Sequence, residues 1–308
     1  MNKANARIWL AEEGLEILGP SFQTRYATLP NMNAAFGKVF YVDKATGSDS
    51  QDGLTPATAF ATVAKAITAN NLEFTGLNYK MNTIYVHSNT YSEALTVMPH
   101  NCNVIGIGAR ARLGSVLTFT TAASNCNFWN MRFRQTTAAP HVTIPDNCYG
   151  VSFHNCIFEG NGSATYALSV GICQDLVVED CQFLGNPVFP TAIILTGLQI
   201  RMIIRRNHIA ATTNGIEDAC MTASYGGIIC DNYIGKQFAD PNSTTQMAYG
   251  IKLDKTTGTS KILIVNNRIE AVDGIYSASS DTQFQNTAIG NIVNEAGTST
   301  TEDEVNTA

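Results

Sequence analysis

The chain carries little charge for its length. Charged residues make up 14% of its 308 residues, whereas about 25% is usual in globular proteins. The formal net charge is −6, but a general nucleic-acid-binding protein needs a basic surface. We therefore expect no nucleic-acid partner. A low charge content together with 24 glycines favours tight turns and sheet over charged helices.

The sequence also lacks long apolar runs and paired cysteine motifs. No segment approaches the roughly 18 apolar residues of a membrane-spanning helix, so we expect no membrane insertion. The first residues lack the apolar region of a signal peptide, so we expect synthesis in a cytoplasm. The 8 cysteines include no CxxC pair and no Cys/His group at zinc spacing. We therefore expect reduced, inert core thiols and no zinc site.

The sequence repeats with a period near 25 residues. The segments FHNCIFEGN (153–161) and VEDCQFLGN (178–186) match at an offset of 25 residues. The apolar residues that close the units are spaced by 25, 25, 26, 25, 35 and 24 residues, at Phe133, Phe158, Phe183, Ile209, Ile234, Ile269 and Val293. Helical repeats are longer, at roughly 33–47 residues. These units alternate with a period of two and end in Gly, Asn or Asp, which indicates strands. We predict an all-β fold, a parallel β-helix solenoid of about ten coils.

Alignment of the units predicts which residues share a column. One apolar column should face the core: Phe128, Phe153, Val178, Ile204, Ile229, Ile264 and Ala288. Three positions further on lie Met131, Cys156, Cys181, Asn207, Asn232, Asn267 and Asn291. Consecutive asparagines in one slot predict a ladder of side-chain amides that satisfies buried turn backbone. The long interval predicts a polar loop over 235–247.

The segment before the repeats predicts a helical cap over the open end of the solenoid. Thr55 suits the N-cap position and Pro56 the first helical position. An apolar stripe follows at helical spacing, which predicts an amphipathic helix near 56–70. The stripe consists of Phe60, Val63, Ala64 and Ile67.

Two segments carry a family resemblance. VFYVDKATGSDSQDGLTPATAFATVAKAI (39–67) and TIYVHSNTYSEALTV (83–97) resemble the first strands of right-handed parallel β-helix proteins of the pectate-lyase-like superfamily. The resemblance extends over 39–295 and implies a right-handed parallel β-helix. It does not fix an activity, because the superfamily includes lyases, hydrolases, epimerases and viral spikes.

In phage tailspikes and related virion proteins, a similar segment follows a short N-terminal attachment region. Residues 1–38 fit that pattern, and we expect an arm that packs on the β-helix or docks on other virion proteins. Its candidate attachment residues are Ile8, Trp9, Leu15 and Leu18. Residues 296–308 are polar and acidic, so we expect a flexible tail.

Outward columns hold few acids for polysaccharide cleavage, which uses paired carboxylates. The best candidates are Glu217, Asp218 and Asp254, which either act in catalysis or form a solvated strand edge. Asp49 and Asp52 either bind calcium or form Asx turns. We expect no other cofactor.

Two outward features suggest binding instead of catalysis. Trp129, with His154 one coil on, predicts either a platform for stacking sugars or simple packing. A longer apolar strip needs a cover, because monomers rarely expose such a patch. Either the arm or sister subunits could cover it, and the resemblance implies a homotrimer. The strip consists of Val177, Ile203, Ile228, Leu263, Val265 and Ile289.

The sequence therefore favours a non-enzymatic phage virion protein, such as a spike, fibre or capsid-decorating protein. We expect it to be trimeric, to be made in the host cytoplasm, and to contact a host-surface polysaccharide. Two alternatives remain open. The first is a polysaccharide lyase or hydrolase on the same fold, and the second is a carbohydrate-binding adhesin.

Overall fold

Short parallel strands build the protein. The computed structural model describes residues 37–73, 80–108, 111–120, 122–134, 138–160, 164–185, 189–220, 224–235, 247–254, 260–277 and 287–293. The first nine strands are β1 (Val39–Val42), β2 (Asn82–Val86), β3 (Asn89–Tyr91), β4 (Cys102–Gly106), β5 (Ala111–Leu113), β6 (Leu117–Thr118), β7 (Ser124–Trp129), β8 (Arg132–Phe133) and β9 (Val142–Ile144). The next nine are β10 (Cys148–His154), β11 (Ile157–Gly160), β12 (Tyr166–Val170), β13 (Cys173–Gln174), β14 (Val177–Glu179), β15 (Gln182–Gly185), β16 (Phe189–Leu195), β17 (Gln199–Ile200) and β18 (Ile203–Arg205). The last ten are β19 (His208–Ile209), β20 (Ala211–Asp218), β21 (Ser224–Cys230), β22 (Tyr233–Ile234), β23 (Met247–Leu253), β24 (Ser260–Val265), β25 (Arg268–Ile269), β26 (Ala271–Ser277), β27 (Thr287–Ile289) and β28 (Ile292–Val293).

The strands form three sheets that the chain visits in turn. Sheet A has 12 strands: β1, β2, β4, β7, β10, β13, β14, β17, β18, β21, β24 and β27. Sheet B has 9 strands: β3, β5, β8, β11, β15, β19, β22, β25 and β28. Sheet C has 7 strands: β6, β9, β12, β16, β20, β23 and β26. Strand β10 pairs with β7 in parallel, β11 with β8, and β12 with β9, and this pattern recurs along the chain. The predicted all-β parallel β-helix solenoid is confirmed.

The prediction of about ten coils is wrong, because fewer coils than that have a strand in each of the three sheets. Within the described ranges, sheet C has 7 strands, so 7 coils contribute to all three sheets. The coils at the two ends are incomplete. At the first end, the third side is reduced to an isolated bridge from Leu95 to Leu117. At the other end, the coil that contains β27 and β28 has no described strand in sheet C.

The core is the column of side chains that the repeat predicts. Phe128, Phe153 and Val178 are all buried, and the first two rings stack with centroids 5.2 Å apart. A second column continues on sheet B, where Phe158 stacks on Phe183 at 4.6 Å and nearly parallel. Each buried phenylalanine contributes about 1.5–3 kcal/mol through removal of its ring from water.

The predicted asparagine ladder is confirmed. The Nδ2 group of Asn207 donates to Oδ1 of Asn232 at 3.0 Å, and Asn232 donates in the same way to Asn267 at 2.9 Å. The ladder ends at Asn291, to which Asn267 donates at 3.0 Å. In earlier coils Cys181 occupies the same slot, and its Sγ donates to the carbonyl oxygen of Phe153 at 3.4 Å. Asn207 donates to the matching carbonyl oxygen of Val178 one coil on, so cysteine and asparagine both satisfy a backbone carbonyl in this slot. All eight cysteines are free, and burial raises the pKa of several thiols, Cys126 among them.

The predicted helical cap is present, but its start is wrong. A short 3-10 turn covers Pro56–Thr58 with Thr55 as its cap, and the α-helix, α1, covers Val63–Leu72 with Thr62 as its cap. The chain between them is extended, since Phe60 forms a parallel bridge with Val42.

Long-range contacts fix where α1 begins. The carboxylate of Asp49 accepts hydrogen bonds from the backbone N–H groups of Ala61 and Thr62. The carboxylate of Glu93 accepts from Val63 and Ala64 at the first turn. Helix α1 contacts β1 and β2 and so closes the first end of the solenoid. Within the described ranges, no helix has the length and apolarity to cross a membrane.

The corners of the coils use left-handed backbone. Asn155, Asp180 and Arg206 follow strands of sheet A and have φ values of 50°, 55° and 52°. Short polar residues tolerate this region, but arginine seldom adopts it. Arg206 is held there by two 2.8 Å hydrogen bonds to Asp180 in the preceding coil. This pairing links the corners of two successive coils.

Candidate functional site

The outer face of sheet A carries a column of four aromatic, polar and charged side chains. Strand pairing places Trp129 beside His154, His154 beside Glu179, and Glu179 beside Arg205 in four successive coils. Neighbouring strands of a sheet lie about 4.8 Å apart, so these side chains are within reach of one another. The in/out phase predicted from the sequence is correct here, because Phe153 and the other alternating residues face the core.

Trp129 and His154 form a stacked pair. Their ring centroids are 3.8 Å apart and their planes differ by 13°. The indole remains 40% exposed, so it presents an aromatic surface to solvent while His154 supports one face. The two residues predicted as a platform are therefore in contact.

Hydrogen bonds fix the orientation of the imidazole. Nδ1 of His154 lies 2.8 Å from Oε1 of Glu179, and Nε2 lies 2.8 Å from Oγ of Ser152. The Ser152 hydroxyl donates to Oδ1 of Asn127 at 2.5 Å, and Asn127 in turn donates to Asn103 at 2.9 Å. These two contacts hold the ring on both of its nitrogen edges.

This Ser–His–Glu connectivity resembles that of a serine hydrolase, but the surroundings differ. Ser152 is only 5% exposed, and its proton is directed to Asn127 and away from the imidazole. The network therefore positions the His154 ring beneath Trp129. The sequence places Ser152 in an outward column, but it gives no signal for the cross-coil hydrogen bonds.

Glu179 is the charged centre of the column. Its Oε2 accepts from Nε of Arg205 at 2.6 Å, and Arg206 lies 3.4 Å away. Burial alone raises the pKa of Glu179, but the hydrogen bonds and charges of Arg205 and His154 outweigh it, so the pKa lies below its usual range. The carboxylate is therefore ionised near neutral pH and able to accept hydrogen bonds.

Two exposed tyrosines on the same sheet were missed by the sequence reasoning. Tyr149 on β10 is 50% exposed and Tyr225 on β21 is 42% exposed. The two tyrosines lie in the same column, with Gln174 and Ile200 in register between them. They are three coils apart, which is about 14 Å at the usual strand spacing. A period-two count from the core residues places both of them inside.

Glycines with left-handed backbone change the inward and outward alternation of these strands. Gly150 follows Tyr149 and Gly226 follows Tyr225, and both have φ values near 65°, at 63° and 69°. The extra residue in each strand turns the preceding tyrosine outward, as β-bulges do. The register shift between Tyr225 and Gly227 has the same origin. A tyrosine before a glycine in a strand is thus the signal that was available in the sequence.

The predicted acidic group is split by the structure. Glu217 is paired with Lys252 in register, and Lys252 with Tyr276. Nζ of Lys252 lies 3.2 Å from Glu217 and 2.8 Å from Asp254. The bond to Asp254 raises the pKa of Lys252 more than burial lowers it, and Glu217 adds to the rise.

The prediction that Asp218 lies at the surface is wrong. Because side chains alternate along β20, the residue after the outward Glu217 faces the core, and Asp218 is fully buried. Its Oδ1 accepts from the backbone N–H of Cys220. The catalytic role of Glu217 and Asp254 stays a prediction.

The candidate calcium ligands serve the turns before α1. Asp49 accepts from two backbone N–H groups and from the Thr62 hydroxyl, and Asp52 accepts from Leu54 and Thr58. Across the described ranges, no group of three or more His, Cys, Asp or Glu residues is arranged to hold a metal ion. The Asx-turn interpretation fits Asp52, which accepts from the backbone two residues on, whereas Asp49 accepts from residues 12 and 13 positions away.

The apolar strip faces outward as predicted. Ile228, Leu263 and Ile289 are 37%, 38% and 56% exposed, respectively. Val177, Ile203 and Val265 lie in the same columns and are partly covered. Its role as an oligomer interface stays a prediction. The attachment residues Ile8, Trp9, Leu15 and Leu18, the tail 296–308 and most of the 235–247 loop lie outside the described residues.

Comparison with known proteins yields similarities in fold. No protein-family profile and no curated protein matches the chain. Among solved structures, the deglycosylated pectin methylesterase from Aspergillus niger is 15% identical, covers 88% of this chain and 90% of its own, and has a TM-score of 0.43. Pectin methylesterase PemA from Erwinia chrysanthemi is 11% identical, covers 86% of this chain and 91% of its own, and has a TM-score of 0.39. The fold class itself is given by the strand pairing: the chain is a parallel β-helix protein.

Proposed function

We propose that the protein binds polysaccharide along the outer face of sheet A. The observation that supports this most directly is that three exposed aromatic side chains, Trp129, Tyr149 and Tyr225, lie on the sheet that also carries an ordered row of charged hydrogen-bonding groups. Aromatic faces stack on the apolar faces of sugar rings, and such side chains combine an apolar body with a polar edge.

The charged row supplies the polar half of a sugar site. Glu179 offers an acceptor and Arg205 offers donors, and the two hold each other in place at 2.6 Å. Residues whose side chains are fixed by neighbours lose little freedom on binding, which favours affinity. The face is elongated along the solenoid axis, as a chain-like ligand requires.

A binding assay with matched variants tests this proposal. The full chain is screened on an array of polysaccharides, and the best ligand is titrated by calorimetry. Trp129→Ala and Tyr225→Ala should each weaken binding at least about tenfold, or about 1.4 kcal/mol. Tyr276→Ala is the control, since Tyr276 is also exposed but lies on sheet C. Equal loss in Tyr276→Ala, or no binding to any polysaccharide, would contradict the proposal.

Side-by-side assembly is a second candidate, supported by the exposed apolar residues of sheet A, of which Ile228 shares β21 with Tyr225. The exposed apolar residues Ile228, Leu263 and Ile289 lie on β21, β24 and β27, towards the far end of the solenoid from Trp129. A second and third copy of the chain would cover this strip about a symmetry axis. The homotrimer and its place on a phage virion therefore stay proposals.

Sedimentation analysis tests the assembly. The wild-type chain should sediment as a trimer, and Leu263→Lys should shift it towards monomer because a charge would be buried in the interface. Arg201→Lys, at the exposed corner between β17 and β18, is the control. A wild-type monomer at micromolar concentration would refute the trimer.

A further inference from the structure

Sheet B carries a cluster of three arginines on its outer surface. Arg112 on β5 is in register with Arg132 on β8, and Arg134 follows two residues later. One acid, Glu159 on β11, lies among them. The nearest atoms of Glu159 are 3.9 Å from Arg112, 3.6 Å from Arg132 and 3.2 Å from Arg134.

This cluster is incompletely satisfied. Distances of 3.6 Å and 3.9 Å are too long for hydrogen bonds. Among the described residues, Nε of Arg112, Nε of Arg132 and Oε2 of Glu159 are buried atoms that find no hydrogen-bond partner. Such groups are rare in native proteins, and a bound acceptor would satisfy the two Nε donors.

The charge of the cluster points to an anion. Three guanidinium groups and one carboxylate leave a local charge of +2, from +3 and −1, in a chain of net charge −6. Arg112 and Arg132 lie on adjacent coils, whose strands are about 4.8 Å apart, so the two positive charges repel each other. Other exposed arginines of the protein are differently arranged: Arg201 forms two 2.7 Å hydrogen bonds to Asp175.

We propose that the cluster of Arg112, Arg132 and Arg134 is a binding site for a small oxyanion, such as a sulfate, phosphate or carboxylate group. Planar guanidinium forks match the oxygen pairs of these groups and bind them through two parallel hydrogen bonds. The oxyanion would supply acceptors to the unpaired Nε groups and offset the excess charge. This site is separate from the polysaccharide face on sheet A and does not depend on it.

Calorimetric titration of the full chain tests the site. Sodium sulfate, sodium phosphate and sodium acetate are titrated separately, with chloride holding the ionic strength constant. At least one of them should bind saturably with one site per chain, and the three arms show which geometry is preferred. Arg132→Gln should weaken that binding at least about tenfold, and Arg201→Gln should leave it unchanged. Arg134→Gln, at the most exposed arginine of the cluster, replaces Arg132→Gln should that variant fail to fold.

A variant of opposite sign separates a binding site from a structural cluster. Glu159→Gln removes the competing carboxylate and should strengthen oxyanion binding several-fold, whereas a merely structural role for Glu159 predicts no gain. Absence of saturable binding by all three anions, or equal effects of Arg132→Gln and Arg201→Gln, would overturn the inference.

Discussion

The asparagine ladder makes a quantitative prediction at Asn232. This side chain donates to the carbonyl oxygen of Ile204 at 3.0 Å and to Oδ1 of Asn267 at 2.9 Å. Its Oδ1 accepts from the backbone N–H and from Nδ2 of Asn207, both at 3.0 Å. Asn232 is almost completely buried, so water cannot replace these partners.

Asn232→Ala should therefore be strongly destabilising. Four hydrogen bonds are lost, and the backbone N–H of Asn207 is left buried without a partner. At about 1 kcal/mol for each hydrogen bond, the free energy of unfolding should fall by about 4 kcal/mol. Asn232→Cys should cost about 3 kcal/mol, because a thiol can still donate to the Ile204 carbonyl and so keeps one of the four hydrogen bonds, as Cys181 does to Phe153.

Urea unfolding followed by circular dichroism measures both variants, and the midpoint is compared at an unchanged denaturant slope. Hydrogen exchange at the Asn207 amide gives a local readout, since this amide should lose protection in the alanine variant. Destabilisation below about 1 kcal/mol, or a cysteine variant less stable than the alanine variant, would refute the ladder account.

Two further predictions concern buried polar groups. Burial lowers the pKa of His141 from 6.5 to about 4, so the unfolded chain binds more protons between these values and stability should fall as the pH falls through that window, by up to about 3 kcal/mol. His141 packs against Phe189, and His141→Phe should remove this pH dependence of the free energy of unfolding. Urea unfolding at several pH values compares the variant with the wild-type protein. Identical pH dependence in the two proteins would contradict the prediction. Ser152 should resist a fluorophosphonate probe of serine hydrolases, because its hydroxyl is held by Asn127, and stoichiometric labelling at Ser152 in a mass spectrum would show a reactive nucleophile instead.

The repeat made most of the fold predictable. A constant spacing places Asn207, Asn232 and Asn267 in one slot, and close stacking of coils then requires their amides to meet. The same alignment gives the inward column that begins at Phe128 and the outward position of Trp129. These features depend only on the period and on side-chain alternation, so the sequence contains them.

Features that depend on departures from regularity were not predictable. The left-handed residues Gly150 and Gly226 reverse the alternation and turn two tyrosines outward. The start of α1 depends on Asp49 and Glu93, which are distant in sequence and reach the helix only after folding. The hydrogen bond between His154 and Glu179 was not predictable either. Alignment of the repeats places the two residues in one column, but it does not show which side chains form hydrogen bonds.

The most direct test of the account is a footprint of bound polysaccharide. Hydroxyl-radical labelling with mass spectrometry compares the free protein with the protein saturated by its best ligand. The account predicts protection of Trp129, Tyr149 and Tyr225 on sheet A, with Tyr276 on sheet C labelled equally in both states. Protection confined to Tyr276, or unchanged labelling of all three sheet A aromatics in the saturated complex, would contradict it.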